Sequence, residues 1–472
     1  MDLQNRISQW IDAHRDGLLA DLSRLVAIPS VRGEAEPGKP FGPGPAAALA
    51  CAIDIARGHG LAVTDYDGYV ACADLNGKPA VLDILGHLDV VDVGDGWDTD
   101  PFTAVLKDDG CLYGRGTDDD KGPVVAAMYA MLAVRELGLP QTANVRLIMG
   151  TDEESGSRDI AYYYRKTPPA PNTFSPDASF PVFNTEKGRY APVFSQALTD
   201  RGASPAVTAF SGGYRANVLP ADASAHVRGL SAAEIGSVCA PLAEKMGVRL
   251  TVSDTGDGAD VSVTGCAAHA STPEEGINGI TALLALLAAL PLAPCGATET
   301  LRALAALFPH GDNEGRAIGI AMADELSGVL TLVLSILTLD EAGWRGEFDS
   351  RVPLCATEEN CRAAAEHALR GAGFSVSGVM VAPHHTPADT PFVQTLLRSY
   401  ERYTGRKGEC LSMGGGTYVH DVPGGVAFGA GMPGFNSNLH GANERVDVEA
   451  LLTASKIFAM VIAEMCCTEV KA

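Results

Sequence analysis

At 472 residues the chain is too long for one ordinary hydrophobic core and has room for two or three domains. Its 46% hydrophobic and 20% charged residues are those of a soluble globular protein. The net charge of -23 argues against nucleic acid or an anionic membrane as partner, and suits clustered carboxylates that bind cations.

Apolar residues at helical spacing (Ile7, Trp10, Ile11, Leu18, Leu22, Leu25) predict an opening helix over 5–26, ended by Pro29. A Gly/Pro-rich loop (37–45) and an Ala-rich helix to about residue 57 follow. Short β-like runs come next at 61–64, 69–75 and 80–85, the last stopping at Gly86-His87-Leu88-Asp89. A hairpin-like stretch over 102–113 leads into Gly114-Arg115-Gly116-Thr117-Asp118-Asp119-Asp120. A helix over 123–137 and a strand over 144–150 then end at Asp152-Glu153-Glu154. This alternation predicts an α/β domain with a mostly parallel sheet flanked by helices, in which chemistry gathers at the carboxyl ends of strands. The texture changes between Gly188 and His384, where strand-like runs (223–227, 249–252, 259–263, 330–337) alternate with helices (232–245, 276–290, 358–371). The first pattern resumes with a helix over 391–404. The expected organisation is a catalytic domain formed by 1–187 and 385–472, interrupted by an inserted α+β lid over 188–384 with two subdomains.

Eleven cysteines, an odd number with no Cys-x-x-Cys, read as reduced thiols in a cytoplasmic setting. Residues 2–5 open no basic-then-apolar signal pattern, and the most apolar run (280–292) falls short of the ~20 residues a membrane span needs.

Several acidic and histidine motifs stop predicted strands. His87 can ligate a cation through one ring nitrogen while Asp89 accepts from the other, fixing the tautomer; a core histidine beside a surface Asp would read the same. Asp118-Asp119-Asp120 exceeds what capping the next helix requires, and three adjacent acids repel unless a cation sits among them. Glu153 and Glu154, if extended, point to opposite sides, so one could bind metal while the other faces a reacting water; a solvated acidic turn is the alternative. Taken singly, Asp177, His440 and His269 are turn or loop residues. Together, two His, two Asp and one Glu make a ligand set for two divalent ions ~3.5–4 Å apart, suited to zinc and acceptable to manganese or cobalt. No His-Glu-x-x-His or Gly-x-Ser-x-Gly is present. The two histidines weigh against a structural calcium site.

With these motifs in order, the chain resembles the co-catalytic zinc metallopeptidases that include aminoacylase, carboxypeptidase G, succinyl-diaminopimelate desuccinylase and the dipeptidases. Residues 25–31, 86–91, 96–97, 101–102, 113–123, 151–156, 184–188, 268–269, 414–418 and His440 carry the resemblance. The long insertion points to the dipeptidase V branch, where an enlarged lid implies a monomer. The resemblance implies that His87 and Asp177 hold one ion, Glu154 and His440 the other, and that Asp119 bridges them. A cis peptide bond is implied after Asp119. Asp89 would orient His87, and Glu153 would be the general base for a metal-bridging hydroxide. His269, on the lid, would stabilise the oxyanion. Asn217, Arg351 and the backbone of Gly414, Gly415 and Gly416 would hold the substrate carboxylate. The implied activity is hydrolysis of unblocked dipeptides, with N-acyl-amino-acid deacylation or desuccinylation as the alternative on the same fold. A catalytically inactive peptide-binding module is a further rival, disfavoured because binding alone needs no general base. Asp92, His420 and residues 307–312 depart from the family pattern, which bears on side-chain preference.

Overall fold

The computed structural model describes residues 2–198 and 203–468. The chain divides into two compact units, Met1–Thr185 with His385–Leu411 and Gly416–Ala472, and Glu186–His384 with Ser412–Gly415. The sequence limits lie at 187/188 and 384/385, whereas the second unit begins at Glu186 and gains residues 412–415. Hydrogen bonds explain the gain: the Lys187 N–H donates to Met413 O at 2.9 Å, and Arg351 Nη1 donates to Gly414 O at 2.7 Å.

In the first unit the sheet runs Ala62–Tyr66, Val70–Asp74, Asn144–Gly150, Ala80–His87, Asn172–Ser175, Gly425–Ala427 and Val182–Glu186. The four strands from Asn144–Gly150 to Gly425–Ala427 are mutually parallel, and antiparallel pairs close both ends. Ala80–His87 is central and buried on both faces over its second half, as parallel strands are. The helix Lys121–Glu136 is buried from Lys121 to Val134, so it is a core helix without a wet face. With Val448–Cys466 it joins Ile84, Leu147, Phe174 and Val426 in one apolar cluster. Each such Leu, Ile or Phe contributes about 1.5–3 kcal/mol by leaving water. The single helix expected over 5–26 is two, Leu3–Ala13 and Arg15–Val26, separated at His14. There the backbone leaves helical geometry (φ -103°, ψ 10°) and Nδ1 bonds the Trp10 carbonyl at 2.7 Å.

The second unit is built on one antiparallel ten-stranded sheet among the described residues, so the two α+β halves expected there share a single sheet. Burial alternates along Asp222–Arg228, where Ala223, Ala225 and Val227 turn inward and their neighbours face outward. The helices Ala232–Met246 and Gly279–Ala288 supply apolar faces to the core of Phe194, Phe210, Trp344 and Phe348. Ser231 and Glu234 form a capping box at the first of these helices.

Candidate active site

The carboxyl ends of parallel strands in the first unit carry the acidic motifs. His87 closes the strand Ala80–His87, Asp119 lies two residues before the helix Lys121–Glu136, and Asp177 follows Asn172–Ser175. Chain folding brings His87, Asp119 and Asp177 together as one group able to hold a metal ion, and Asp119, Glu154 and His440 as another. His87 Nε2 lies 2.9 Å from Asp119 Oδ1 and 3.6 Å from Asp177 Oδ2. His440 Nε2 lies 2.9 Å from Asp119 Oδ2 and 3.3 Å from Glu154 Oε1. The two oxygens of Asp119 thus face different groups. The Asp119–Asp120 peptide is cis.

Electrostatics call for positive charge at this place. His87 Nδ1 lies 3.0 Å from the Asp89 backbone carbonyl, which can only accept, so the ring proton sits on Nδ1. Nε2, fully buried, faces two carboxylates; burial opposes the charge, but these carboxylates hold the ring's pKa well above its usual value. A divalent cation in place of those protons would offset the repulsion among the clustered carboxylates, and imidazole with carboxylate is the donor set borderline ions such as zinc take. Burial pushes Glu153, Glu154 and Asp177 above the ordinary carboxylate range, reinforced by the neighbouring acids. Burial also opposes ionisation of Asp119, but hydrogen bonds from His440 and His87 hold it well below that range. The carboxylates of Asp119 and Glu154 raise His440 to about 10. The residues present fit a pair of divalent ions.

Carboxylates that accept backbone N–H groups lock these motifs together. Asp89 Oδ1 and Oδ2 accept from Glu153 N and Glu154 N, each at 3.2 Å. The Asp89 carboxylate lies 3.4 Å from His87 Nδ1, farther than its own carbonyl, so it organises the two glutamates at least as much as the histidine. Glu153 and Glu154 are not extended, as the alternation argument requires; they form a 3-10 turn with Ser155, because Asp89 gathers both N–H groups. Asp120 does not cap its helix, since Oδ2 accepts from His87 N at 3.0 Å. Asp159 accepts from Thr151 N (2.5 Å), Asp152 N (2.9 Å) and the Tyr418 hydroxyl. A Cβ at Gly150 would meet Tyr418 Oη at 2.0 Å, and one at Gly86 would meet Val124 Cγ2 at 2.4 Å, so both strand ends need glycine for close packing. Sequence reasoning missed Asp159, Tyr418, Arg115 and Glu444 as parts of this framework. Arg115 and Tyr418 lie inside the motif segments 113–123 and 414–418, which hinted at it, whereas Asp159 and Glu444 lie outside them.

Of the remaining candidates, Asn217, His269, Arg351, Gly414 and Gly415 lie in the second unit. His269 pairs with Val218 across the short strands Ala268–His269 and Val218–Leu219, and the Ala270 N–H donates to the Asn217 carbonyl at 3.0 Å. His269 Nδ1 lies 2.6 Å from Ser271 Oγ. Arg351 is held by Asp349, with Nε donating at 2.6 Å, and reaches the Gly414 carbonyl. A Cβ on Gly414 would lie 2.7 Å from Ser271 Cβ, which places Gly414 beside the His269 segment. Gly415 belongs to this unit and Gly416 begins the return to the first.

A mixed sheet with clustered acids and histidines at its parallel strand ends fits the class of metal-dependent hydrolases. The chain belongs to peptidase family M20/M25/M40, whose model matches residues 84–464. Over 464 residues it is 33% identical to a Bacillus subtilis (strain 168) protein, YtjP, whose dipeptidase designation is provisional; the match covers 96% of this chain and 97% of that one. It is 31% identical to the Beta-Ala-Xaa dipeptidase of Lactobacillus delbrueckii subsp. lactis, over 98% of this chain and 99% of the relative. The fold is similar to that of human carnosine dipeptidase 1, with a TM-score of 0.60 at 17% identity, covering 98% and 99% of the two chains. The protein is thus a hydrolase of the peptidase class, with a catalytic domain of mostly parallel sheet and an inserted second domain. No helix among the described residues is long and apolar enough to cross a membrane.

Proposed function

We propose that the protein is a metal-dependent dipeptidase that hydrolyses unblocked dipeptides. The observation that carries this reading is the pair of ligand groups sharing Asp119, with Glu153 held beside them by the Asp89 carboxylate. The dipeptidase designations of two relatives at 33% and 31% identity support the substrate class. His87 and Asp177 would hold one ion, Glu154 and His440 the other, and Asp119 both; zinc suits this donor set, and manganese or cobalt is compatible with it. Bound there, two divalent ions would supply Lewis acidity toward the scissile carbonyl and toward water.

The chain's own groups carry the protons and the positioning. Glu153 takes a proton from the attacking water on a carboxylate oxygen and passes it to the leaving amine nitrogen. Asp89 orders His87 and the two glutamates. His269 donates to the oxygen that gains charge in the tetrahedral intermediate. Asn217, the planar fork of Arg351 and the backbone of Gly414–Gly416 bind the substrate carboxylate. The reading also carries a monomeric enzyme of a reducing, cytoplasmic compartment; eleven free cysteines support the compartment.

The test is turnover of an unblocked dipeptide, a β-alanyl dipeptide, the N-acetylated dipeptide and an unblocked tripeptide by metal-stripped protein given zinc or manganese. Cleavage confined to free dipeptides is expected. Cleavage of only the acetylated compound would reassign the protein to N-acyl-amino-acid deacylation.

A further inference from the structure

A buried ion pair ties together the two loops that carry Asp119 and His440. Arg115 and Glu444 are 1% and 0% exposed, and Arg115 Nη1 donates to Glu444 Oε2 at 2.7 Å. Glu444 Oε1 accepts the N–H groups of Gly116 (3.0 Å), Asp118 (3.0 Å) and Asp119 itself (3.2 Å). From the other side, Arg115 Nη2 donates to the His440 carbonyl at 3.2 Å and the Asp92 carbonyl at 3.2 Å. His440 has φ +60°, a backbone conformation side-chain-bearing residues rarely adopt, and Asn438 and Asn443 beside it are also left-handed. One ion pair therefore grips the peptide of the shared ligand and the carbonyl of a strained outer ligand, through separate atoms.

A buried pair contributes little net stability, because desolvation offsets most of its attraction. What this pair does supply is geometry. The His87 group has supports of its own, since Asp120 fixes the His87 N–H and Asp89 O fixes Nδ1. His440 has no such double support among its described bonds and depends on the Arg115 contact at its carbonyl.

We propose that Arg115 and Glu444 are positioning residues that set the affinity of the ion site formed by Asp119, Glu154 and His440. The His87 and Asp177 site depends on them far less. This rests on the two-ion reading. Orienting contacts of this kind are typically worth about 10- to 100-fold in metal affinity.

The experiment is cobalt(II) titration of metal-stripped full-length protein, read by visible absorption and by chelator competition, alongside circular dichroism of the metal-free protein. Wild type should take two equivalents; Asp177→Asn and His440→Ala should each remove one step and so assign both. Glu444→Gln keeps size and an acceptor oxygen but removes the charge. Arg115→Lys keeps the charge but cannot reach Glu444 and His440 O together. Both should weaken the His440 step about 10- to 100-fold, shift its absorption, and leave the other step within about threefold. Unchanged titrations, equal weakening of both steps, or failure of both variants to fold would assign the pair to fold stability alone and overturn the proposal. Wild type that takes fewer than two equivalents would instead overturn the two-ion reading.

Discussion

The two units place functional side chains in opposite ways. In the first, His87, Asp89 and Asp119 are buried, and carboxylates that accept backbone N–H groups from neighbouring motifs immobilise the surrounding loops. In the second, Asn217 and His269 are exposed on a short two-stranded ribbon anchored to a buried antiparallel sheet, and only Arg351 is buried. The contrast fits the roles proposed for each set. Clustered carboxylates repel one another and stay together best in a fixed, largely desolvated frame, although His440 beside them is exposed, whereas groups proposed to receive a peptide must stay accessible and need only their backbone held.

That contrast can be broken or sharpened by four measurements. Glu153→Ala should lower kcat by about 10²- to 10⁴-fold with metal content unchanged, since general-base catalysis is typically worth that much. Loss of bound metal in this variant would mean that Glu153 is a ligand. His269→Ala should cost about 10²- to 10³-fold in kcat, the usual loss for one oxyanion donor, again with full metal content. A change confined to KM would move His269 from the reacting carbonyl to substrate binding.

Arg351→Lys should raise KM about tenfold while kcat falls less, the signature of lost uniform binding of the substrate carboxylate. Equal falls in kcat and kcat/KM would place Arg351 at the transition state. The smallest effect concerns acid stability in the second unit. Burial works against ionisation of Asp324, but hydrogen bonds from Ser327, Cys355 and Leu326 bring it down to about 2. A depressed folded value means that its contribution is full above about pH 4 and is lost as pH falls toward 2. Asp324→Asn should therefore flatten denaturation midpoints across that window and leave neutral-pH activity untouched.

Much of the catalytic unit was legible in residue order. The strand Asn144–Gly150 has the bounds its apolar run predicts, and the helix over 391–404 is Pro391–Thr404, begun by a Thr390 cap and ended at a left-handed Gly405. These signals are local: periodicity, caps and glycine. Glu153 and Glu154 were misjudged because alternation assumes an extended chain, and the 3-10 turn there depends on Asp89, which is remote in sequence. The break at His14 was hidden because its apolar spacing continues across it.

Sequence alone therefore determined the α/β class and the change of texture that marks the insertion, since residue type and periodicity state those directly, and the family resemblance carried by its motifs named the candidate ligands. Only the tertiary structure decided that Asp89 accepts from the backbone of both glutamates. It also decided that Arg115 and Glu444 join loops separated by more than three hundred residues. Such pairings are set by how parallel strands and core helices pack their ends, and a side chain's hydrogen-bond partner is a long-range contact that carries no local periodic signal.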